Sequence, residues 1–136
     1  MENKLKLEVV SPHGPVFIED VDEVSAQGTD GDFGVFPGHV PFITTLKIGL
    51  LTYRKGSDSR FIFVNSGYAE VSPEKVVILA DSAEKSEEID VERAKAAMQR
   101  AEDRMKQADK IDFARATAAL ERATIRIQLA GKNRPL

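Results

Sequence analysis

Arginines at helical spacing are the residues of this sequence whose chemistry stands out. Successive residues of an α-helix are about 100° apart, so Arg93, Arg100 and Arg104 would lie within about 20° of one line along it. The same spacing recurs further along the chain at Arg115, Arg122 and Arg126. Guanidinium groups match the geometry of phosphate and carboxylate oxygens, so the two stripes together predict an anion-binding edge.

An internal repeat contains the start of each stripe. Residues 89–94, IDVERA, recur as residues 111–116, IDFARA. In each copy an aspartate, Asp90 or Asp112, precedes a run with helical periodicity. Its carboxylate can accept hydrogen bonds from the free N–H groups of the first turn and favours the positive end of the helix dipole. We therefore expect both aspartates to cap helices, a stabilisation of about 1 kcal/mol each.

The arginine stripes also have a simpler interpretation. Most charged stripes on helices are solvated rims with carboxylates nearby, and here those carboxylates would be Glu92, Glu102 and Asp103. Against this, Glu121 is the single acidic residue of segment 113–136. The imbalance favours an anion site, whose partner would be a polyphosphate or an acidic protein surface.

Two amphipathic helices are predicted to position the stripes. The first has an apolar face formed by Ala94, Ala97, Met98, Ala101, Met105 and Ala108. The second has an apolar face formed by Phe113, Ala116, Leu120, Ala123 and Ile127. Because residues 107–112 are polar and few, the helices should fold back as an antiparallel hairpin with both stripes on one rim. Ile125 and Leu129 lie off the second face, so a hairpin alone would leave them exposed for docking elsewhere.

The first part of the chain has a β pattern instead. Apolar residues alternate with polar ones at Leu5, Leu7 and Val9, at Val16 and Ile18, and at Val24 and Ala26. Turn residues separate the runs at residues 12–14, 28–34, 55–57 and 72–75. We predict that residues 1–84 form a β-sandwich or flattened barrel and that residues 85–136 form a segregated two-helix hairpin.

Composition limits the classes of function. The chain has 136 residues, of which 42% are hydrophobic and 30% charged, as is typical of one small globular protein. With no cysteine and two histidines, His13 and His39, a metal site is not expected, and the net charge of -3 gives no overall attraction to nucleic acid. No apolar run reaches the roughly 18 residues of a membrane span, and no signal segment follows the start. We expect neither secretion nor membrane insertion.

One glycine-rich segment carries a family resemblance. Residues 31–41, GDFGVFPGHVP, in a chain that runs from β-unit to helical hairpin, strongly resemble the epsilon subunit of bacterial F-type ATP synthase. Further matching segments are residues 7–14 (LEVVSPHG), 64–71 (VNSGYAEV) and 77–84 (VILADSAE). The resemblance spans almost the whole chain. It implies a non-catalytic subunit of the central stalk, which couples the rotor in proton-driven ATP synthesis.

The resemblance also implies partners for the β-sandwich, namely the gamma subunit and the c-ring. The loops expected to make these contacts contain Thr29, Asp30, Gly31, Asp32, Pro37, Gly38 and His39. The turn at 29–32 would face the c-ring, and residues 37–41 belong to the family's signature loop. Because no partner motif for a catalytic histidine is visible, we expect His39 to have a structural role.

For the hairpin, the resemblance implies two positions. In one it is folded down against the sandwich, and in the other it extends beside gamma into the alpha/beta catalytic head, where it blocks ATP hydrolysis. The basic residues expected to face the catalytic beta subunit in the extended position are Arg115, Arg122, Arg126 and Lys132. Such a contact should be sensitive to salt.

Some members of the family bind ATP on the folded hairpin through an Ile/Leu-Asp-x-x-Arg-Ala motif and further arginines. By resemblance, the ATP-binding residues here would be Glu84, Asp90, Arg93, Arg100, Arg122 and Arg126. Asp90 would contact adenine or ribose, and the arginines would bind the phosphates. No cofactor is required, and ATP would be a regulatory ligand that favours the folded hairpin and so opposes inhibition.

Without the resemblance, three classes remain open: a rotor or scaffold component, a small-ligand sensor and a nucleic-acid binder. The last is the weakest, because Phe113 is the single aromatic residue near the arginines and the β-unit is acidic. Copurification with gamma separates the first two. The family implies a bacterial protein, peripheral on the cytoplasmic face of the inner membrane and monomeric when isolated, with a plastid copy as the lesser alternative.

Overall fold

The computed structural model describes residues 4–107 and 110–132, with the side chains of residues 110–112 and 132 left aside. The chain divides between Lys85 and Ser86 into two compact units. The first unit is built of β-strands and the second of helices. The prediction of a β-sandwich followed by a two-helix hairpin is confirmed.

The first unit contains eight strands joined by short connections. Their bounds are β1 (Leu5–Ser11), β2 (Gly14–Val21), β3 (Glu23–Gly28), β4 (Gly31–Val35), β5 (Phe42–Lys55), β6 (Asp58–Val71), β7 (Lys75–Ala80) and β8 (Ala83–Lys85). The strands follow the order β2-β1-β7-β6-β5-β3-β4, and β8 pairs with β6. All of the assigned pairs are antiparallel except β1 with β7.

The hydrophobic core of the sandwich lies between the inward faces of these strands. Its fully or almost fully buried members include Leu5, Leu7, Val9, Val24, Val35, Leu51, Ile62, Val76 and Ile78. The alternation read at Leu5, Leu7 and Val9 is therefore an inward-facing row, as strand geometry requires.

The long pair β5 and β6 changes its inward side partway along. In β6 the inward residues are Ile62 and Val64 before Ser66, and Ala69 and Val71 after it. Side chains of a regular strand alternate between faces, so an odd step between inward residues requires an irregular residue in between. Ser66 and Gly67 form this irregularity, because their φ angles are 52° and 137°, and Ser66 is the single non-glycine residue with positive φ in the described chain. Both halves of the strand thereby face the same core.

Two expectations about the strands are wrong. The pattern at Val16 and Ile18 predicts an inward row, but β2 buries Phe17 and Val21, whereas Val16 is only partly buried against the core and Ile18 is half exposed. The cause is the pairing with β1, which sets Phe17 beside Val9 and Ile18 beside Glu8. Residues 28–34 are also not one long turn, because a two-residue turn at 29–30 leads directly into β4. Gly31 permits this tight turn, since its φ of 134° is readily adopted by glycine.

The second unit starts with a 3-10 turn at Ser86–Glu88, followed by α1 (Val91–Gln107) and α2 (Lys110–Lys132). The helices pack against each other, and the hydroxyl of Thr124 lies 3.9 Å from the sulfur of Met98. Because α2 follows α1 almost at once, contact between the middle of α1 and the later part of α2 means that they run antiparallel. None of the described helices is long and apolar enough to cross a membrane.

Small residues form the most buried part of the helix seam. Ala94, Ala101, Ala116 and Ala123 are almost fully buried, which permits a close approach of the two helix axes. Phe113, predicted for the same seam, is about half exposed at 47%. It lies near the start of α2.

Two further details of the helices differ from expectation. Asp112 was predicted to precede and cap the second helix, but α2 already begins at Lys110, so Asp112 lies within its first turn. Leu129, which a hairpin alone would leave exposed, is fully buried, and Ile125 is partly buried. The second apolar side of α2 is therefore covered, and the 3-10 turn is among the elements that contact this helix.

Candidate functional site

The first predicted contact loop joins β3 to β4. Thr29 and Asp30 form its turn, whereas Gly31 and Asp32 are the first residues of β4. The backbone N–H of Thr29 donates to the carbonyl of Thr45 at 3.0 Å, and the hydroxyls of the two threonines are also hydrogen-bonded. The turn is thus fixed to β5 while its polar side chains face solvent.

The second predicted loop, between β4 and β5, contains Pro37, Gly38 and His39. The N–H of Gly38 donates a hydrogen bond of 2.7 Å to the carbonyl of Pro73. The φ of Gly38 is 90°, a backbone conformation that favours glycine. The Nδ1 of His39 lies 2.8 Å from the carbonyl oxygen of Val40, and its ring packs on Phe42 with centroids 5.3 Å apart. These contacts give His39 a part in holding the loop.

An exposed apolar face lies next to these loops and was missed in the sequence. Ile43, Tyr68 and Leu79 are 73%, 56% and 50% exposed. Tyr68 of β6 is paired with Leu79 of β7, and Ile43 lies on the adjoining strand β5. We call these three residues the outer apolar face. The sequence of residues 76–79, VVIL, could have revealed this face. Successive side chains of a strand point to opposite faces, and in this run the residues on both faces are apolar.

The second loop carries two more exposed apolar residues. Phe36 and Val40, which flank Pro37 and His39, are 56% and 73% exposed. Exposed clusters of large apolar side chains are uncommon on monomeric proteins and mark interaction sites. The sandwich therefore presents an apolar docking surface.

An ion-pair cluster lies at the opposite end of β3 from the Thr29 turn. Asp22 accepts a hydrogen bond from Lys4 and another, 2.6 Å long, from the N–H of Gly56. The Nη1 of Arg54 lies 3.8 Å from the Oδ2 of Asp22. The hydrogen bond from Lys4 and then that from Gly56 hold the pKa of Asp22 below its ordinary value. Arg54 also pairs with Glu23 at 3.3 Å. The cluster ties the β2–β3 connection to the β5–β6 turn.

The arginines of α1 form the exposed stripe that the sequence predicts. Arg93, Arg100 and Arg104 are all exposed. Asp90 caps the helix, because its Oδ1 accepts a hydrogen bond of 3.1 Å from the N–H of Arg93 and its carbonyl accepts one of 3.0 Å from Ala94. The carboxylate thus satisfies one free donor of the first turn.

Two acidic residues of α1 have partners on a different stripe of the helix. Glu92 lies 3.8 Å from Lys95, and Asp103 accepts a hydrogen bond of 3.1 Å from Gln99. By helical geometry this stripe is rotated by roughly 100° from the arginines. Neither interaction involves the arginines of α1.

On α2 the arginines differ in exposure. Arg115 is exposed, whereas Arg122 and Arg126 are partly buried. Because Met98 faces Thr124 and the helices are antiparallel, Arg100 comes level with Arg122. This register gathers arginines of both helices near the middle of the hairpin. Lys132 is the last residue of α2, and its side chain lies outside the described part.

Glu84 belongs to the first unit, unlike the other predicted ATP-binding residues. It is the central residue of β8, is partly buried and is paired in register with Phe63 of β6. Asp90, Arg93 and the remaining arginines lie on the hairpin. In the parts of the chain that the structure describes, no cluster of three or more potential metal ligands is present.

Comparison with known families matches both units. The family described as ATP synthase, delta/epsilon chain, beta-sandwich domain matches residues 4–86. The family described as ATP synthase, delta/epsilon chain, long alpha-helix domain matches residues 87–131. The two matches follow each other with no gap between them.

The fold is also found in solved structures. A chain of the cryo-EM structure of the Euglena gracilis mitochondrial ATP synthase, OSCP/F1/c-ring, aligns with a TM-score of 0.80 and 22% identity, over 98% of this chain and 84% of that one. A chain of the Tetrahymena thermophila mitochondrial ATP synthase central stalk and c-ring aligns with a TM-score of 0.60 and 11% identity, over 95% and 98%. At these identities the likeness establishes the fold.

Curated bacterial proteins are much closer in sequence. The ATP synthase epsilon chain of Thermodesulfovibrio yellowstonii is 59% identical over 107 residues, which is 79% of this chain and 76% of that protein. The epsilon chain of Citrifermentans bemidjiense is 53% identical over 106 residues, covering 78% and 77%. With both family matches and this level of identity, the chain belongs to the delta/epsilon family of ATP synthase subunits, as an epsilon chain.

Proposed function

We propose that the protein couples the rotor of ATP synthase through its β-sandwich and restrains ATP hydrolysis through its helical hairpin. The observation that carries the coupling role is the outer apolar face of Ile43, Tyr68 and Leu79, together with Phe36 and Val40. In a subunit of the central stalk, such a surface is suited to permanent docking on another rotor component. We assign it to the gamma subunit.

The polar turn at Thr29 and Asp30 suits a different partner, the c-ring. It is a tight hairpin turn held by two hydrogen bonds to Thr45, so it can present polar groups to the loops of the ring without rearranging. Through this contact the protein would be peripheral at the cytoplasmic face of the inner membrane. It would act without a catalytic site or cofactor of its own.

The hairpin is suited to a reversible role. The almost fully buried residues of its seam are alanines, which bury little apolar area each, so separating the helices at these positions costs less free energy than opening a core of large side chains. In the extended position Arg115, Arg122 and Arg126 would meet acidic residues of the catalytic beta subunit. That contact would block hydrolysis by the alpha/beta head and weaken with salt.

ATP would act on the folded hairpin as a regulatory ligand. The register that brings Arg100 level with Arg122 supports a phosphate site shared by both helices. A ligand that binds the folded hairpin alone would shift the population away from the inhibitory position. The hairpin would then respond to the cell's ATP concentration.

Deletion of the hairpin tests this division of roles. The full chain and a variant lacking residues 88–136 are each assembled with the other subunits, and ATP hydrolysis by the complex is measured. We expect normal copurification with gamma and faster hydrolysis for the truncated variant. Loss of assembly would refute the assignment of coupling to the sandwich, and unchanged hydrolysis would refute the inhibitory role of the hairpin.

A further inference from the structure

The 3-10 turn Ser86–Glu88 lies where the two structural units meet in sequence. It packs against α2, and the N–H of Ile89 donates to the carbonyl of Ser86 at 3.3 Å. Ser86 and Ile89 are both buried. Any release of α2 from this turn therefore changes the surroundings of Ser86.

The side chain of Ser86 is buried without a hydrogen bond. Ser86 is 2% exposed, and its Oγ is the one buried side-chain nitrogen or oxygen in the described residues that lacks a partner. By contrast, Ser72 donates from its hydroxyl to the carbonyl of Lys75 at 3.1 Å. A buried hydroxyl that has lost water and gained no partner destabilises the state in which it is buried.

The penalty applies in the packed state, in which the 3-10 turn that contains Ser86 contacts α2. The hydroxyl of Ser86 would be hydrated once the turn is exposed. The populations of the packed and released states depend on the difference in free energy between them, and not on the total stability of the protein.

We propose that the unpaired hydroxyl of Ser86 destabilises the packed junction between the 3-10 turn and α2, and so favours release of the hairpin. The inference rests on the proposed two positions of the hairpin and names the residue that adjusts the balance between them. Removing the hydroxyl is expected to hold the hairpin in the packed position.

Amide hydrogen exchange of the full chain tests the proposal at single residues. In Ser86→Ala, exchange at the N–H of Ile89 should be slower by about tenfold, which corresponds to about 1.4 kcal/mol. The N–H of Asn65, bonded to Ser82 within the sandwich at 2.9 Å, is the internal reference and should be unchanged. Equal or faster exchange at Ile89 would overturn the proposal.

Ser72→Ala is the matched control, because the same substitution there removes a hydroxyl that has a partner. It should accelerate exchange around the turn at 72–75 and leave Ile89 unaffected. Ser86→Cys, which keeps a side chain of similar size but replaces the hydroxyl with a weaker hydrogen-bonding group, should slow exchange at Ile89 in the same direction as Ser86→Ala. Faster exchange in Ser86→Cys would show that the hydroxyl stabilises the junction and would overturn the proposal.

A second measurement separates this proposal from the proposed function. ATP hydrolysis by the assembled complex should rise with Ser86→Ala, because a hairpin held in the packed position inhibits less. Slow exchange at Ile89 together with unchanged hydrolysis would count against the inhibitory role of the hairpin and would support the effect of the hydroxyl. Unchanged exchange at Ile89 would refute the proposed effect of the Ser86 hydroxyl, whatever rate of ATP hydrolysis the truncated variant gives.

Discussion

The hydroxyl of Ser66 donates a hydrogen bond of 2.9 Å to Oδ2 of Asp81, while the backbone of Ser66 holds a φ of 52°. The carbonyl of Ser66 also accepts a hydrogen bond of 3.2 Å from the N–H of Asp81. Ser66 is the point at which β6 changes its inward side, so this pair of contacts fixes the bend of the longest strands.

Replacing Ser66 by valine should lower the free energy of unfolding by about 1–3 kcal/mol, because a β-branched residue is strained at positive φ and the hydrogen bond to Asp81 is lost. The midpoint of urea unfolding measures the change. Ser59→Val, on the same strand but at ordinary φ, is the control and should have little effect. A midpoint equal to that of the unmodified protein would show that the bend does not depend on Ser66.

Gly67 should tolerate no side chain. A Cβ there would overlap the carbonyl oxygen of Leu79, and its φ of 137° favours glycine. We expect Gly67→Ala to yield little folded protein, as judged by circular dichroism and solubility. Gly34→Ala is the control, since a Cβ there would be 3.7 Å from the nearest atom, the Oγ of Ser25. Equal stability of the two variants would contradict the pairing assigned to β6 and β7.

Stability should fall in acid partly because of Asp22. The hydrogen bond from Lys4 lowers the pKa of Asp22 in the folded protein below its value in the unfolded chain. A depressed pKa contributes stability above the unfolded value, and this contribution is lost as the pH falls through the folded value. The melting temperature of Asp22→Asn should therefore be lower than that of the unmodified protein near neutral pH, with the gap closing below about pH 4. Asp20→Asn, an exposed aspartate of β2, is the control, and a gap that stays constant with pH would refute the role of the carboxylate.

Nucleotide binding should depend on the arginines in the middle of the hairpin. Isothermal calorimetry of the isolated protein with ATP, with and without magnesium, is expected to give heat that the double variant Arg122→Ala/Arg126→Ala abolishes. ADP serves as the comparison ligand. Arg104→Ala removes a charge from the same rim outside the predicted site and should retain binding. Unchanged binding by the double variant would refute the residue assignment.

Docking on gamma should depend on the outer apolar face. Ile43→Lys combined with Leu79→Lys places charges on exposed positions of that face, so the fold should persist while copurification with gamma drops at least tenfold, since burying an unpaired charge is costly. Ser57→Lys, in the exposed turn between β5 and β6, is the control. Full copurification of the double variant would place the gamma contact elsewhere.

Much of the architecture depends on residues close together in the sequence and was therefore predictable. The alternation at Leu5, Leu7 and Val9 identifies a half-buried strand, and the spacing of the alanines identifies the helix seam, because periodicity follows directly from backbone geometry. The cap at Asp90 was likewise readable, since a capping carboxylate bonds to N–H groups a few residues away. The family resemblance rested on the same contiguous segments.

The tertiary structure decided what depends on partners distant in sequence. Ile18 faces outward because β1 sets the register of β2, and Leu129 is buried although it lies off the face that the sequence assigns to the helix seam. The unpaired hydroxyl of Ser86 and the lowered pKa of Asp22 arise from neighbours that no local pattern specifies. Sequence therefore determined which elements form and which side of most of them is apolar, whereas long-range packing determined which side chains are covered, paired or left exposed, because burial depends on the whole set of neighbours.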